Sequence, residues 1–438
     1  MPVTYAVGSV LRFCCRLPPE PTPLQTHLSP EFRDTLDGQE AEAILRKCVH
    51  CGFCLATCPT YQLLGDELDS PRGRIYLIKQ VLEGHEPTRT TQQHLDRCLT
   101  CRNCETTCPS GVQYGHLVDI GRKVVEQRVE RPAKERAVRW LLKEGLTSPL
   151  FGPAMKMGQL LRPLLPAALK AKVPASAGAR ARFWPTRTHK RKVLMLLGCV
   201  QPAMMPNINS ATARVLDAAG IQTLVADDAG CCGAIRTHLS DVEGGLADMR
   251  RNIDAWWPLV NGLTSEGRVE AIVMNASGCG VTVKDYGHAL AHDPDYADKA
   301  QRVSVLTRDL CELLPDLVAP LKARLRKSRD GQRLAFHPPC TLQHGQQLRG
   351  VVERHLGELG FDVQLAATDS HLCCGSAGTY SVLQPELAYQ LRDRKLTSLA
   401  AVDAPLIVSA NIGCIQHLQS GTSTPVRHWV EVLDEALA

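Results

Sequence analysis

The sequence lacks the features that mark several common functional classes. It has no apolar run near the roughly 18 residues that a membrane-spanning helix requires. It has no Gly-x-Gly-x-x-Gly after a predicted strand and no acid–base pair singled out by spacing, so no catalytic residue is predicted. The stretch after Met1 lacks the basic start and apolar centre of a secretory signal. These absences predict a protein of the reducing cytosol. They leave membrane contact possible only from the surface, as a peripheral protein on the cytoplasmic face of the inner membrane.

Cysteine, in contrast, is abundant, with 19 residues in a chain of 438. Eight of them form two runs of identical C-x2-C-x2-C-x3-C-P spacing, which end at Pro59 and Pro109. Two-cluster bacterial ferredoxins have this spacing, and in them each run gives three thiolates to one [4Fe–4S] cluster and its fourth to the other. Zinc would use four thiols in pairs and would not explain a third cysteine at the same step of both runs.

The spacing therefore predicts two [4Fe–4S] clusters with crossed ligands. The first cluster is predicted to bind Cys48, Cys51, Cys54 and Cys108, and the second Cys98, Cys101, Cys104 and Cys58.

The segments around these runs have a helical pattern. Apolar residues recur at helical spacing between Ile75 and Leu82 and again between Leu117 and Val125. We therefore predict a helical ferredoxin-type domain over residues 29–130, preceded by a disordered extension over 1–28. Cys14, Cys15 and Cys311 have no companion at ligand spacing and are interpreted as bystanders.

Residues 131–192 differ from the rest of the chain in charge. They carry fifteen Lys or Arg against two Glu, although the net charge of the whole chain is only +5. The segment is also rich in proline and in apolar residues such as Trp140 and Leu160. It is either a solvated basic linker or a docking surface for an acidic partner or for anionic headgroups. Nucleic acid is not favoured, because no nucleic-acid-binding motif accompanies the charge.

From residue 193 the pattern becomes α/β and occurs twice. Continuous apolar runs that suit buried parallel strands alternate with helical segments, and each strand leads to a cysteine-bearing loop. We predict two tandem cysteine-rich repeats with parallel sheets, over 193–330 and 331–438. The cysteines of the first repeat are Cys199, Cys231, Cys232 and Cys279, and those of the second are Cys340, Cys373, Cys374 and Cys414.

Parallel strands deliver their carboxyl-terminal loops to one edge of a sheet, so each repeat is expected to gather its four thiols. The open interpretations are a metal or cluster in each repeat, a redox-active thiol pair, and one joint site. His337 and His344 flank Cys340 and are interpreted as packing or surface residues.

The repeated Cys-Cys-Gly pattern resembles the CCG domain of heterodisulfide reductase-type subunits, whose full form binds an unusual [4Fe–4S] arrangement through five cysteines. Here the penultimate cysteine is replaced by Ala276 in one repeat and Asn411 in the other. The replacement argues against a five-thiolate centre and against a thiol/disulfide enzyme. At most one ordinary cluster or metal is expected in each repeat.

From about Gln25 to its end, the chain resembles the iron–sulfur subunits of bacterial glycolate oxidase (glycolate dehydrogenase). The resemblance is carried by Cys48-Val-His-Cys-Gly-Phe-Cys, Thr60-Tyr-Gln-Leu-Leu-Gly-Asp-Glu-Leu, Pro71-Arg-Gly-Arg-Ile-Tyr-Leu-Ile-Lys and Cys98-Leu-Thr-Cys-Arg-Asn-Cys. The cysteine motifs alone also suit subunits of anaerobic glycerol-3-phosphate dehydrogenase or of lactate utilisation, but the segments between them favour glycolate oxidase.

The resemblance implies FAD-binding partner subunits that oxidise glycolate to glyoxylate. It also implies that this chain transfers electrons towards a quinone and is not catalytic alone.

Overall fold

The computed structural model describes residues 24–166, 170, 173, 181–326 and 331–437. The predicted extension therefore lies outside the described residues up to 23, as do Cys14 and Cys15. What is described is a helical amino-terminal part followed by two α/β units. The predicted fold class is confirmed.

The helical part surrounds the two cysteine runs. The predicted apolar residues of its two longest helices are buried in one core, with Ile78 and Leu117 fully inaccessible. Two helices precede Cys48, and Thr35 caps the second by accepting a hydrogen bond from the Gly38 amide. The helices are Pro30–Arg33, Leu36–Leu45, Pro59–Leu64, Pro71–Leu82, Arg89–Asp96, Asn103–Thr107 and Tyr114–Arg128, with a 3-10 turn at Glu67–Asp69.

The basic segment forms two helices, Ala133–Thr147 and Phe151–Leu160, and a 3-10 turn at Arg162–Leu164. None of their residues is fully buried. Much of the positive charge is paired within the chain. Arg131 and Arg139 contact Asp96, and Arg191 contacts Glu270 and Asp316. The charge excess seen in the sequence is therefore partly neutralised in the folded protein.

The first α/β unit has a four-stranded parallel sheet in the order β2-β1-β3-β4. Its strands are β1 Arg191–Met195, β2 Ile221–Leu224, β3 Ala271–Met274 and β4 Thr307–Asp309. Its helices are Gln201–Met204, Asn207–Ala218, Ala234–His238, Val242–Val260, Ser277–Lys284, Tyr286–Ala289, Ala297–Leu306 and Leu314–Lys322, with a 3-10 turn at Leu310–Leu313.

The second unit repeats this topology in the order β6-β5-β7-β8. Its strands are β5 Arg333–His337, β6 Asp362–Leu365, β7 Ile407–Ser409 and β8 Val426–His428. Its helices are Val351–Glu358, Tyr380–Leu383, Pro385–Ala400, Ile412–Gln419 and Trp429–Ala436, with a π-helical turn at Thr341–Gly345. The edge strands β4 and β8 each contain an arginine and no continuous apolar run, so a pattern of apolar runs does not predict them.

The two units pack against each other through a shared apolar core that includes Val193 and Leu334. A buried ion pair between Arg214 and Asp434, at 2.7 Å, also joins them. Since all strands of a unit are parallel, their carboxyl ends lie at one edge, and the cysteine-bearing loops follow those ends.

Candidate metal centres

Two cavities lie between the ferredoxin-type runs. The first is lined by Cys48, Cys51, Cys54 and Cys108, and Cys104 also borders it. The second is lined by Cys58, Cys98, Cys101 and Cys104. Each cavity thus contains three thiols of one run and the fourth of the other run, which is the crossed arrangement that the spacing predicts.

The loops that present these thiols have the same unusual backbone in both runs. His50 and Gly52 have φ of 53° and 82°, and the corresponding Thr100 and Arg102 have φ of 50° and 58°. A left-handed conformation is costly for residues other than glycine and is found mainly where function requires it. Arg102 is held by an ion pair with Glu105 at 2.9 Å. The backbone of these loops therefore adopts the conformation that brings the thiols together, and not the one that its residues prefer in isolation.

The buried, thiol-lined walls of both cavities suit iron–sulfur clusters. Burial, together with the neighbouring Cys48 and Cys51, raises the pKa of Cys54 to about 12. Burial and adjacent thiols likewise raise the pKa of Cys104. Ionising four such thiols requires a compensating cation, and the soft thiolate donors fit iron. The Tyr114 hydroxyl and the Thr100 amide point to the Cys98 sulfur at 3.6 and 3.4 Å.

In the first α/β unit the four predicted cysteines come together. Cys199 contacts Cys231, Cys231 contacts Cys232, and Cys232 contacts Cys279 through thiol hydrogen bonds. Hydrogen bonds from Cys199 and Cys232 lower the pKa of Cys231 to about 3, whereas that of Cys199 is raised. The site is therefore a chain of four soft donors that contact one another.

In the second unit the thiols of Cys340, Cys373, Cys374 and Cys414 form the same kind of chain. This chain extends further, because Cys340 also contacts Cys101 of the second ferredoxin-type cavity. The helices that follow Cys58 and Cys101 pack against this unit as well. The thiols of the second unit thus adjoin the thiols that line the second ferredoxin-type cavity.

The positions of the missing cysteines are occupied in different ways. Ala276 is buried and precedes the helix Ser277–Lys284. The Asn411 side chain accepts a hydrogen bond from the Gly413 amide and donates one to Ser277 Oγ at 3.3 Å. Asn411 therefore caps a helix and joins the two units, and neither position adds a soft donor.

The two histidines that flank Cys340 differ from each other. His344 is a packing residue, as expected, since Nε2 donates to the His371 carbonyl at 2.8 Å and Nδ1 faces Arg349 at 2.9 Å. His337 is buried with its ring nitrogen close to the sulfurs of Cys374 and Cys414. Its place at the end of a strand beside Cys340 was the one sequence signal for this contact.

Comparison with known families matches both parts of this architecture. Residues 44–112 match the family described as 4Fe-4S dicluster domain. Residues 193–284 and 334–419 each match the CCG cysteine-rich domain. The glycolate oxidase iron-sulfur subunit of Escherichia coli (strain K12) is 56% identical over 415 residues, which are 94% of this chain and 99% of the relative.

The chain belongs to the family of glycolate oxidase iron–sulfur subunits. A probable glycolate oxidase iron-sulfur subunit of Bacillus subtilis (strain 168) is 31% identical over 425 residues, covering 89% of this chain and 91% of the relative. One of the subunits of the dihydromethanophenazine:CoB–CoM heterodisulfide reductase of Methanosarcina acetivorans is 25% identical over 410 residues, covering 86% of this chain and 89% of the relative. The predicted family is confirmed.

Membership of the glycolate oxidase family and the dicluster match assign two [4Fe–4S] clusters to this subunit of an oxidoreductase complex. Within the part of the chain that the structure describes, no helix has the length and apolarity needed to cross a bilayer.

Proposed function

We propose that this chain is the electron-transfer subunit of a flavin-dependent glycolate dehydrogenase complex. FAD-binding partner subunits oxidise glycolate to glyoxylate, and this chain accepts their electrons and passes them to a quinone-type acceptor. It does not catalyse the oxidation by itself. The relatives named as glycolate oxidase subunits support the substrate, and the abundance of soft-donor sites supports the role.

The eight ferredoxin-type cysteines are proposed to bind the clusters with crossed ligands. Clusters of this kind supply one-electron carriers whose potentials are tuned by hydrogen bonds and burial. Cys48, Cys51, Cys54 and Cys108 hold one, and Cys98, Cys101, Cys104 and Cys58 hold the other. The two thiol-lined cavities support this assignment.

The contact between Cys101 and Cys340 is the single observation that carries the proposed route. It joins a predicted cluster ligand directly to the thiols of the second α/β unit, with Leu99 and Tyr380 packed around them. Electrons tunnel between redox centres that lie close together. The contact therefore supports a route in which a metal bound by the second α/β unit exchanges electrons with the adjacent cluster.

Partner subunits and the membrane surface are proposed to meet the chain at residues 131–192. Trp140, Leu150 and Leu160 are exposed there by 61%, 72% and 80%. Large exposed apolar residues beside Lys and Arg are typical of docking or interfacial helices.

The test compares two electron acceptors with the purified complex and glycolate. A dye that takes electrons directly from the flavin should be reduced whether or not this chain is present. Quinone reduction should require the chain and should be lost in Cys108→Ser. Quinone reduction at full rate by the flavin subunits alone would contradict the proposal, as would glycolate oxidation by this chain alone.

A further inference from the structure

His337 occupies an environment that ordinary packing does not explain. It is the last residue of β5, pairs with Ser409 of β7, and is 1% exposed. Neither ring nitrogen has a hydrogen-bond partner among the described residues. A buried polar group without a partner destabilises the folded state, because the hydrogen bonds that it made to water are not replaced. A metal ion bound by one of these nitrogens would supply a partner that the described residues do not provide.

The neighbours of His337 are the donors that a soft metal prefers. The ligand atoms of His337, Cys374 and Cys414 all lie within 4.8 Å of one another. A tetrahedral ion with bonds of about 2.0–2.3 Å holds its ligand atoms roughly 3.3–3.8 Å apart, so a small adjustment of rotamers would bring all three to one ion. Two thiolates and an imidazole suit zinc or iron and do not suit calcium or magnesium.

Another buried histidine of the same sheet shows that the missing partners are specific to His337. His428 ends β8 and is also 1% exposed. Its Nε2 donates to the Asn275 carbonyl at 2.9 Å, and its Nδ1 accepts from the Val430 amide at 3.1 Å. This sheet can therefore satisfy a buried imidazole with protein groups alone.

We propose that His337, Cys374 and Cys414 bind one soft metal ion, either zinc or an iron atom of a cluster, in the second α/β unit. The first unit has Met195 at the corresponding end of β1, and the Met195 sulfur accepts a hydrogen bond from Asn275 at 3.6 Å. Among the described residues, a histidine within ligand distance of the thiols is found in the second unit and not in the first, so the two thiol clusters differ. The inference rests on the proposed use of these cysteines as metal ligands and not on the route of the electrons.

The test uses the full chain purified anaerobically in its complex. Iron and zinc are measured per chain, and two [4Fe–4S] clusters account for about eight irons. X-ray absorption at the zinc edge and pulsed paramagnetic resonance after labelling with ¹⁵N-histidine distinguish zinc from iron. We expect metal beyond the eight irons, with either a nitrogen scatterer at about 2.0 Å from zinc or a coupling that changes on labelling.

Three variants assign that signal to a residue. His337→Leu should lose the additional metal and retain both ferredoxin-type signals. His337→Cys should retain the metal without its nitrogen ligand, and the control His428→Gln should retain both. The wild-type spectra and His337→Cys decide the matter even if His337→Leu does not fold.

Several results would overturn the inference. They are a wild-type protein with no metal beyond the ferredoxin irons, an additional centre without nitrogen, or a nitrogen signal that persists in His337→Cys. Each of these results concerns the second α/β unit and would leave the two ferredoxin-type signals unchanged. Failure of the electron-transfer role would instead appear as quinone reduction that does not require this chain, so the two failures are distinguishable.

Discussion

The two α/β units have the same strand order and four cysteines each at corresponding positions, but their cysteine-bearing loops have different neighbours. In the first unit the helices Gln201–Met204 and Ala234–His238, which follow Cys199 and Cys232, pack against the helices of the basic segment. In the second unit Cys340 contacts Cys101. One set of donors thus lies beneath the proposed docking surface and the other beside a ferredoxin-type cavity. The two copies of a duplicated domain can therefore keep their cysteine positions while the segments packed against each copy differ.

The comparison assumes that the cluster beside the second unit is the one bound mainly by the second cysteine run. Loss of a whole cluster is the largest effect that we predict, and it tests this assumption. Cys58→Ser should remove the cluster bound mainly by the second run, the one adjacent to Cys340. Cys108→Ser should remove the other cluster. Each change should lower the iron content by about four atoms, because a [4Fe–4S] cluster needs all its ligands. Iron analysis and paramagnetic resonance after reduction measure this, and loss of the cluster of the mutated run itself would disprove the crossed ligands.

The loops before Cys-Cys-Gly are held by different residues in the two units. In the second, the Lys395 ammonium donates to the carbonyls of Asp369 and Ser370 and is 1% exposed. In the first, Asn252 donates to the Cys231 carbonyl at 2.7 Å and accepts from the Gly230 amide at 2.8 Å.

Lys395→Met should therefore destabilise the protein by about 1–3 kcal/mol, since two buried carbonyls lose a donor. Asn252→Leu is the matched change in the first unit and should cost a similar amount. Denaturant unfolding measures both. Because the Lys395 ammonium faces the thiols of its unit and burial already lowers the pKa of Lys395, only Lys395→Met should also alter the second thiol cluster. If Lys395→Met and Asn252→Leu altered the thiol clusters of their own units equally, Lys395 would have no special effect on the thiols.

A third prediction concerns the contact between Cys340 and Cys101. Cys340→Ala should shift the midpoint potential of the cluster bound by Cys101, because it removes the thiol that donates to the ligand sulfur and such a hydrogen bond is worth about 1 kcal/mol. That corresponds to roughly 45 mV for a one-electron couple. Cys199→Ala, the counterpart in the first unit, should leave this potential unchanged. A redox titration followed by paramagnetic resonance compares them, and a shift of equal size in both variants would refute the direct contact.

The first unit is joined to the ferredoxin-type part by groups that titrate. The Glu40 carboxylate lies 2.8 Å from His288 Nε2 and 3.2 Å from His116 Nδ1, and His116 Nε2 lies 3.2 Å from Asp285. The two imidazole rings stack at 3.9 Å. Although burial opposes it, the hydrogen bond to Asp285 and the ion pair with Glu40 raise the pKa of His116 to about 10. The ion pair with His116 and the hydrogen bond from His288 lower the pKa of Glu40 to about 2.

The pH dependence of this junction follows from these directions. His116 stabilises the folded state fully below its unfolded pKa of about 6.5, and this contribution is lost as the pH rises through about 10. Glu40 contributes above about 4.5 and loses its contribution as the pH falls towards 2. Stability should therefore decline between pH 6.5 and 10, and His116→Gln should flatten that slope. Amide exchange in Leu36–Leu45 reports it locally, and an unchanged slope in His116→Gln would exclude this origin.

Sequence reasoning was accurate where a pattern repeats and weak where a contact joins distant segments. The 3.6-residue stripes specified the helices that contain Ile78 and Leu117. The spacing within each run predicts ligand sets whose thiols border the two cavities, and the binding of clusters by those thiols stays a prediction. The meeting of Cys101 with Cys340 depends on how two domains pack, and no local pattern encodes that. His337 was assigned to packing because a single histidine carries no periodicity. The excess charge of the basic segment was overrated, since the sequence does not show that Arg131 and Arg191 are paired with carboxylates of the same chain.

The last and smallest effect concerns the segment at residues 131–192, which packs on the first unit. Arg182 and Arg191 face carboxylates of the α/β units, so reversing them would disturb the fold as well as the surface. Lys134, Lys156 and Lys190 have no carboxylate of the described residues within ion-pair distance and are better probes.

Changing all three lysines to Glu should weaken binding to vesicles that contain anionic lipid. Added salt should weaken wild-type binding similarly, because exposed charges are screened beyond about 10 Å at 0.1 M salt. Vesicle sedimentation measures this, and Lys322→Glu, on a helix of the first unit outside the segment, is the matched control. Unchanged vesicle binding with weaker association of the flavin subunits would assign the surface to the partners, and no change in either would reduce the segment to a linker.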